Sequence, residues 1–201
     1  MQINPHFLFN TLQVISLISM KLLKGDNEVS RSINLLADLL KNALNTDETI
    51  VSVRDEMIYA KKYIDIQNIR YGGKIIVEWD IPDEVLDAEV IKMTLQPLLE
   101  NSIQHGISKL SGGGKIIVST EIKNGNLIII VADNGNKIDE DRLRKIKESL
   151  KNSKQITAKN IGLSNINQRI KLVFGEEYGC DINSCELGTC VKVVIPYNKK
   201  Q

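Results

Sequence analysis

The apolar rhythm of this chain changes once, at Gly72-Gly73, and that change limits what each side can fold into. Before it the spacing is helical. Leu8, Leu12, Ile15, Ile18 and Leu22 recur every three or four residues and form one helix stripe. Gly25-Asp26-Asn27 reads as a turn. Val29, Ile33, Leu36, Leu40 and Ala43 then repeat the pattern, widened by Leu35, Leu39 and Leu44. Two such helices joined by a short turn make an antiparallel hairpin. A lone hairpin cannot bury stripes this wide, so the spacing predicts a dimer in which two hairpins form a four-helix bundle. The competing expectation is that both helices pack on the rest of their own chain. Residues 45–53 read as a connector. Residues 54–71 read as a third helix, with Met57, Ala60 and Ile64 on one face and Gly72-Gly73 as its stop.

Beyond Gly73 the texture is mixed. Ile75, Val77 and Trp79 alternate with Ile76, Glu78 and Asp80, a strand closed by Pro82. Residues 90–107 read as a helix in which Pro97 demands a kink or a late start. After a glycine-rich loop at 111–114, residues 115–123 and 127–132 read as strands joined by Asn124-Gly125, a strong hairpin signal. Ile128-Ile129-Ile130-Val131 lacks polar alternation and predicts a central strand buried on both faces. A charged helix over 139–151, a polar segment over 152–160, a helix over 163–174 and strands over 180–184 and 190–195 complete the reading. The expected fold class is α+β: a helical unit over residues 1–72, then an α/β unit over 73–201.

Charge and composition remove several function classes. A net charge of +1 offers no electrostatic case for nucleic acid, and 4% aromatic residues leave few stacking platforms. Cys180, Cys185 and Cys190 form no Cys-x-x-Cys pair and lie far from either histidine, so they are read as reduced thiols rather than a metal centre. No apolar run approaches the roughly 18–20 residues of a membrane span, and no secretory signal is present. The first motif begins directly behind Met1, so a longer parent with an upstream sensor or membrane anchor is expected. Any membrane association would come through that upstream region.

Five local features carry chemistry. His6 falls in the first turn of the first helix, behind Asn4 as N-cap and Pro5 at a position that needs no N–H. A neutral imidazole is a nucleophile whose pKa lies near neutrality. Glu100-Asn101-Ser102-Ile103-Gln104-His105-Gly106 ends a helix, and an Asn side chain supplies the neutral, hard oxygen that suits Mg2+ beside phosphates and water. Asp133-Asn134-Gly135 follows the buried strand. A carboxylate there can accept a hydrogen bond from an exocyclic amine, while a glycine lets backbone approach a flat ring. Asn160-Ile161-Gly162-Leu163-Ser164-Asn165 runs into a helix whose first N–H groups favour phosphate. Gly188-Thr189 precedes the last strand and offers a hydroxyl. Taken singly, each of these also reads as an ordinary cap, turn or partly buried polar residue.

Their order and contexts agree with one family. Gln2–Leu12 (Gln-Ile-Asn-Pro-His-Phe-Leu-Phe-Asn-Thr-Leu), Tyr63-Ile64-Asp65-Ile66-Gln67 with Arg70-Tyr71, Leu95-Gln96-Pro97-Leu98-Leu99-Glu100-Asn101 through His105-Gly106, Asp133-Asn134-Gly135, Gly162-Leu163-Ser164-Asn165 and Gly188-Thr189 resemble the sensor histidine kinases of the LytS/YesM-like type along the whole chain. The resemblance implies a helical dimerisation and phosphotransfer region followed by an α/β sandwich of the GHKL (Bergerat) ATPase type. It also implies ATP and Mg2+ as cofactors, a homodimer through the hairpin, and a response-regulator receiver domain as partner. On it His6 matches the phosphoacceptor, Asn101 the Mg2+-binding asparagine, His105 a residue near the phosphates, and Asp133 the adenine-reading aspartate with Gly135 its companion. Gly162 and Leu163 match the end of an ATP lid over residues 136–161, and Thr189 a threonine on the adenine side. Two departures stand at the lid ends. Lys137 and Asn160 replace glycines usual in the family; Lys137 can reach a phosphate, and Asn tolerates left-handed backbone angles. The resemblance places the chain as the cytoplasmic portion of a bacterial plasma-membrane sensor.

Overall fold

The computed structural model describes residues 5–44, 48–107, 110, 112–151, 161–184 and 188–199; the side chains of residues 5–7 and 161 lie outside that description, as do Asn4, Asn160 and Cys185. Two antiparallel helices come first, α1 (Pro5–Leu22) and α2 (Glu28–Leu44). Polar groups fix the turn between them. The Gly25 N–H donates to the Met20 carbonyl at 2.8 Å. The Asn27 side chain accepts from the Ser30 N–H at 3.0 Å, and the Ser30 hydroxyl accepts from the Asn27 N–H at 3.1 Å, a reciprocal cap on α2.

The most deeply buried side chains of the hairpin are small and polar, beside half-buried Leu8, Leu12, Ile33 and Leu40. Ser16, Ser19 and Ser30 are buried there, and the Ser19 hydroxyl donates to Asn27 Oδ1 at 2.8 Å. The apolar side of α1 is left uncovered: Val14, Leu17, Ile18 and Leu22 are each more than half exposed. The stripe expected from the sequence is present, but its members Ile15, Ile18 and Leu22 do not pack within the chain. On α2, Val29 and Leu36 are also exposed, while Leu39 packs against the main core.

The connector expected over 45–53 carries a short strand, β1 (Ile50–Ser52), which runs straight into α3 (Val53–Tyr71). Ser52 and Asp55 form a capping box, with the Asp55 N–H donating to the Ser52 hydroxyl oxygen at 3.1 Å. Gly72, at φ 65°, ends the helix in the left-handed region. Strand β2 (Ile75–Asp80) and a 3-10 turn at Asp83–Val85 follow.

The segment read as one helix over 90–107 is three elements. Strand β3 (Glu89–Ile91) pairs antiparallel with β1, helix α4 spans Leu95–Asn101, and a π-helical turn spans Ser102–Ile107. Met93, at φ 61°, separates strand from helix. Pro97 therefore marks a late start, standing in the first turn of α4 where its missing N–H leaves no bond unmade.

The remaining elements are β4 (Gly114–Lys123), β5 (Asn126–Asp133), α5 (Glu140–Lys151), α6 (Ile161–Phe174), β6 (Gly179–Ser184) and β7 (Thr189–Pro196). One five-stranded sheet has the order β2-β4-β5-β7-β6, with β2 parallel to β4 and every other pair antiparallel. Asn124 and Gly125, both at positive φ, close the β4–β5 hairpin. Strand β5 is central. Leu127, Ile129 and Val131 join the main core, and Ile128 is buried outside that cluster while Ile130 is half-buried. Cys180 lies in β6 and Cys190 in β7, and neither forms a disulfide among the described residues.

A single core runs from Val53, Ala60 and Ile64 of α3 through Leu98 of α4 and Ile170 of α6 to Ile129 of β5. Helix α3 is thus packed on the sheet unit, on the far side of the Gly72-Gly73 break. No helix among the described residues is long and apolar enough to cross a membrane. A Cβ at Gly72 meets nothing within 4 Å, so replacing it tests backbone strain alone. Gly72→Ala is expected to lower unfolding free energy by about 1 kcal/mol through the left-handed backbone, read by urea denaturation.

Candidate functional site

The site is built at the carboxyl end of the central strand. Asp133 is the last residue of β5, and register places Ile116 of β4 on one side of it and Thr189 of β7 on the other. Its side chain is 3% exposed. The Gly135 N–H donates to Oδ1 at 2.9 Å, and the Ser102 hydroxyl and the Thr189 N–H also bond to the carboxylate. Burial pushes its pKa above the ordinary carboxylate value, while these three donors pull the other way.

Close-packed backbone crowds this end of the strand. A Cβ on Gly106 would lie 2.4 Å from Asp133 Oδ1, one on Gly135 would lie 2.2 Å from the Gly106 carbonyl carbon, and one on Gly188 would lie 2.3 Å from the Asp133 carbonyl oxygen. Three glycines from three segments are therefore required by close approach. The Asn136 N–H donates to the Gly106 carbonyl at 3.2 Å, tying the loop after β5 to the π turn. The Lys115 N–H donates to Asn134 Oδ1 at 2.7 Å, and the Asn134 N–H donates to the Lys115 carbonyl at 3.1 Å, fixing the same loop to β4.

Asp133 forms part of the wall of a cavity of about 210 Å3. Asn101 from the end of α4, His105 from the π turn, Lys137 from the loop, Leu163 from α6 and Thr189 from β7 line it as well. Six of the residues singled out from the sequence thus meet around one space. Gly135 contributes through its N–H to Asp133. Gly162 stands behind: a Cβ there would lie 3.8 Å from Pro97 and 3.9 Å from Asn101 Nδ2, so α6 begins within van der Waals reach of α4. His6 falls in the first turn of α1, and its side chain lies outside the described residues, as does the part of the expected lid over 152–160.

Ile138, Ile146, Ile182 and Val191 supply an apolar wall, and Arg142 of α5 adds a second cation beside Lys137. None of these was singled out from the sequence. Aliphatic residues carry no local sign of a ligand, and Arg142 sits in a helix whose charge reads as a solvated face. Among the described residues no group of three or more His, Cys, Asp or Glu side chains is placed to hold a metal. The oxygen of Asn101 suits an ion that takes one or two protein ligands and fills the rest of its shell with phosphate and water, as Mg2+ does.

Residues 1–75 match the family model described as histidine kinase, and residues 86–199 match the histidine kinase-, DNA gyrase B- and HSP90-like ATPase model. The chain is 35% identical over 196 residues to the sensor histidine kinase YesM of Bacillus subtilis, covering 97% of this chain and 32% of the relative. It is 33% identical over 198 residues to the sensor protein LytS of Oceanobacillus iheyensis, covering 98% and 33%. The chain spans about a third of the length of these curated relatives. Among solved structures, the catalytic domain of histidine kinase ThkA superposes with a TM-score of 0.54 at 20% identity, covering 76% of this chain and 98% of that domain. The mycobacterial sensor histidine kinase MprB gives 0.52 at 17%, covering 75% and 98%. These two show the shared fold of the sheet unit. With both family models matched in order and relatives alike over nearly its whole length, the chain belongs to the sensor histidine kinases of the LytS/YesM-like type.

Proposed function

We propose that this chain is the ATP-dependent protein-histidine kinase core of a two-component sensor, and that it passes the phosphoryl group to an aspartate on a response-regulator receiver domain. The observation that carries this reading is the meeting of Asn101, His105, Asp133, Lys137, Leu163 and Thr189 around one cavity. At about 210 Å3 the cavity is smaller than the roughly 300–1,000 Å3 pockets that enclose whole drug-sized ligands. That suits a base held inside with its phosphates reaching outward.

In this reading the Asp133 carboxylate accepts from the exocyclic amine of adenine. The Gly135 N–H and Ser102 hydroxyl hold it in place, and the apolar wall excludes competing water. Lys137 and Arg142 offset phosphate charge. Asn101 would hold Mg2+, which supplies charge neutralisation at the phosphates. A neutral imidazole nitrogen of His6 attacks the γ-phosphorus; an N–P bond forms, the bond to the β-bridging oxygen breaks, and ADP leaves. The transition state for such transfer is loose, so positioning and electrostatics supply most of the catalysis. Residues 1–72 carry the acceptor and the dimer contact, and residues 73–201 hold the nucleotide. The uncovered apolar side of α1 supports a homodimer through the hairpin. The share of the relatives covered supports a longer parent whose upstream region would hold any membrane anchor.

Incubation with γ-labelled ATP and Mg2+ tests the reading. Acid-labile, base-stable label is expected on the parent and absent from His6→Ala and Asn101→Ala; label persisting on His6→Ala would show that the acceptor is wrong. Nucleotide affinity is expected to weaken as pH falls through the raised pKa of Asp133, because the protonated carboxyl no longer accepts from the amine. The midpoint should lie above the ordinary value of 3.8. In Asp133→Asn, titrated by calorimetry, affinity should be low and flat over the same range. Sedimentation equilibrium should give a dimer for the parent and a monomer for Leu17→Glu/Leu22→Glu; identical masses would rule out this face as the seam.

A further inference from the structure

Helix α4 has no cap of its own. Thr94 occupies the N-cap position in a helical conformation (φ −86°, ψ −48°), and its hydroxyl donates to the Ile91 carbonyl at 2.6 Å instead of serving a helix N–H. The donors at the start of α4 go to a side chain from another element. Glu56 of α3 accepts from the Met93 N–H through Oε1 at 2.6 Å, and from the Thr94 and Leu95 N–H groups through Oε2 at 2.8 and 2.9 Å. Glu56 is 3% exposed, and Arg169 of α6 is the cation whose field favours its charge. Burying a carboxylate is costly and pushes its pKa above the ordinary value, and three charge-assisted bonds offset part of that cost. What the long-range cap adds is a rigid tie between α3 and α4. The same stretch is bound a second way: β1 pairs with β3, and the Lys92 N–H donates to the Thr49 carbonyl at 2.9 Å, so residues 49–56 are stitched to residues 89–95.

We propose that Glu56 is a positioning residue: it fixes the first turn of α4 to α3 and thereby sets where Asn101, at the far end of α4, meets the nucleotide. The inference rests on the proposed function above. Leu95 and Asn101 are six residues apart, about 9 Å along the axis. A tilt of about 10° at the clamped end therefore swings Asn101 by roughly 1.5 Å, a misplacement of the order that costs about 100-fold in reaction rate.

The test uses the 201-residue chain and measures ATP affinity with Mg2+ and with a chelator, alongside amide hydrogen exchange. The proteins compared are the parent, Glu56→Gln, Glu56→Asp and Gly72→Ala. Glu56→Gln keeps the side-chain size but offers one acceptor oxygen, with its amide NH2 set against backbone donors. It is expected to lose the Mg2+-dependent gain in ATP affinity by about 10-fold or more, while metal-free affinity, carried at the Asp133 end, stays that of the parent. Exchange should accelerate from Met93 to Asn101 and not elsewhere. Glu56→Asp, one methylene shorter, should fall between. Gly72→Ala should keep the Mg2+-dependent gain despite lower stability. The inference is overturned by a parental gain in Glu56→Gln, by an equal loss of metal-free affinity, or by faster exchange spread over the whole chain. A parent that binds ATP equally with and without Mg2+ removes the role of Asn101, and the inference with it. A parent that binds no ATP overturns the proposed function instead, and exchange over residues 93–101 then decides whether Glu56 holds α4.

Discussion

A carboxylate packed against bare backbone is the constraint on which this site depends. Asp133 sits at the end of the central strand, where burial penalises its charge and three donors restore it. To bring those donors close, the π turn, the loop after β5 and the approach to β7 must come within a distance that no side chain permits at Gly106, Gly135 or Gly188. The geometry is therefore held by what these positions lack. The π segment, with its i→i+5 bonding, is a form frequent at functional sites. Once the three segments converge, the residues beside each glycine have little freedom. His105 precedes Gly106, Asp133 stands two before Gly135, and Thr189 follows Gly188, so all three are delivered to one cavity.

The sheet was largely legible because its strands are long and its turns are chemical. Asn124-Gly125 marks a hairpin by the backbone angles it tolerates, and the unbroken Ile128–Val131 run marks a strand with neighbours on both sides. The short strands β1 and β3 were not legible. Three residues give no period, and Val90-Ile91 ahead of a proline reads as well for a helix as for a strand. What separates them is the left-handed Met93, which carries no sequence signature. In the hairpin, the apolar stripe was visible but the side facing the partner helix was not. The seam runs along Ser16, Ser19 and Ser30, residues that read as surface until their bonds to the turn are seen.

The site divides in the same way. Residues whose chemistry is scarce, such as a lone Asn at a helix end or a carboxylate after a buried strand, could be picked from the sequence and do meet around the cavity. Its apolar wall and Arg142 could not, because their residue types are common and only tertiary contact makes them special. Glu56 belongs to this second class. Between Asp55 and Met57 it looks like an ordinary first-turn acid that favours the N-terminus of its own helix, yet its carboxylate serves a different helix.

The two halves are held by different kinds of force. Helix α3 shares a continuous apolar core with α4, α6 and β5 and is bound to α4 by a buried carboxylate. The hairpin joins this body through Leu39 and a partly exposed pair between Lys62 and Asp38. Such pairs contribute at most about 1 kcal/mol. Within the hairpin the fully buried side chains are polar, Ser16, Ser19, Ser30 and Asn42, while Val14, Leu17, Ile18 and Leu22 stay exposed, and in proteins most helical stability comes from packing an apolar face. In the proposed homodimer that side is covered, and the hairpin's stability would then rise with protein concentration in a way the sheet unit's does not. The shared core therefore places α3 against the sheet unit although it precedes the break in sequence texture at Gly72-Gly73. Helix α3 shares the core that backs the cavity through Ile146, Leu163, Ile182 and Val191, whereas no residue of α1 among those described joins that core.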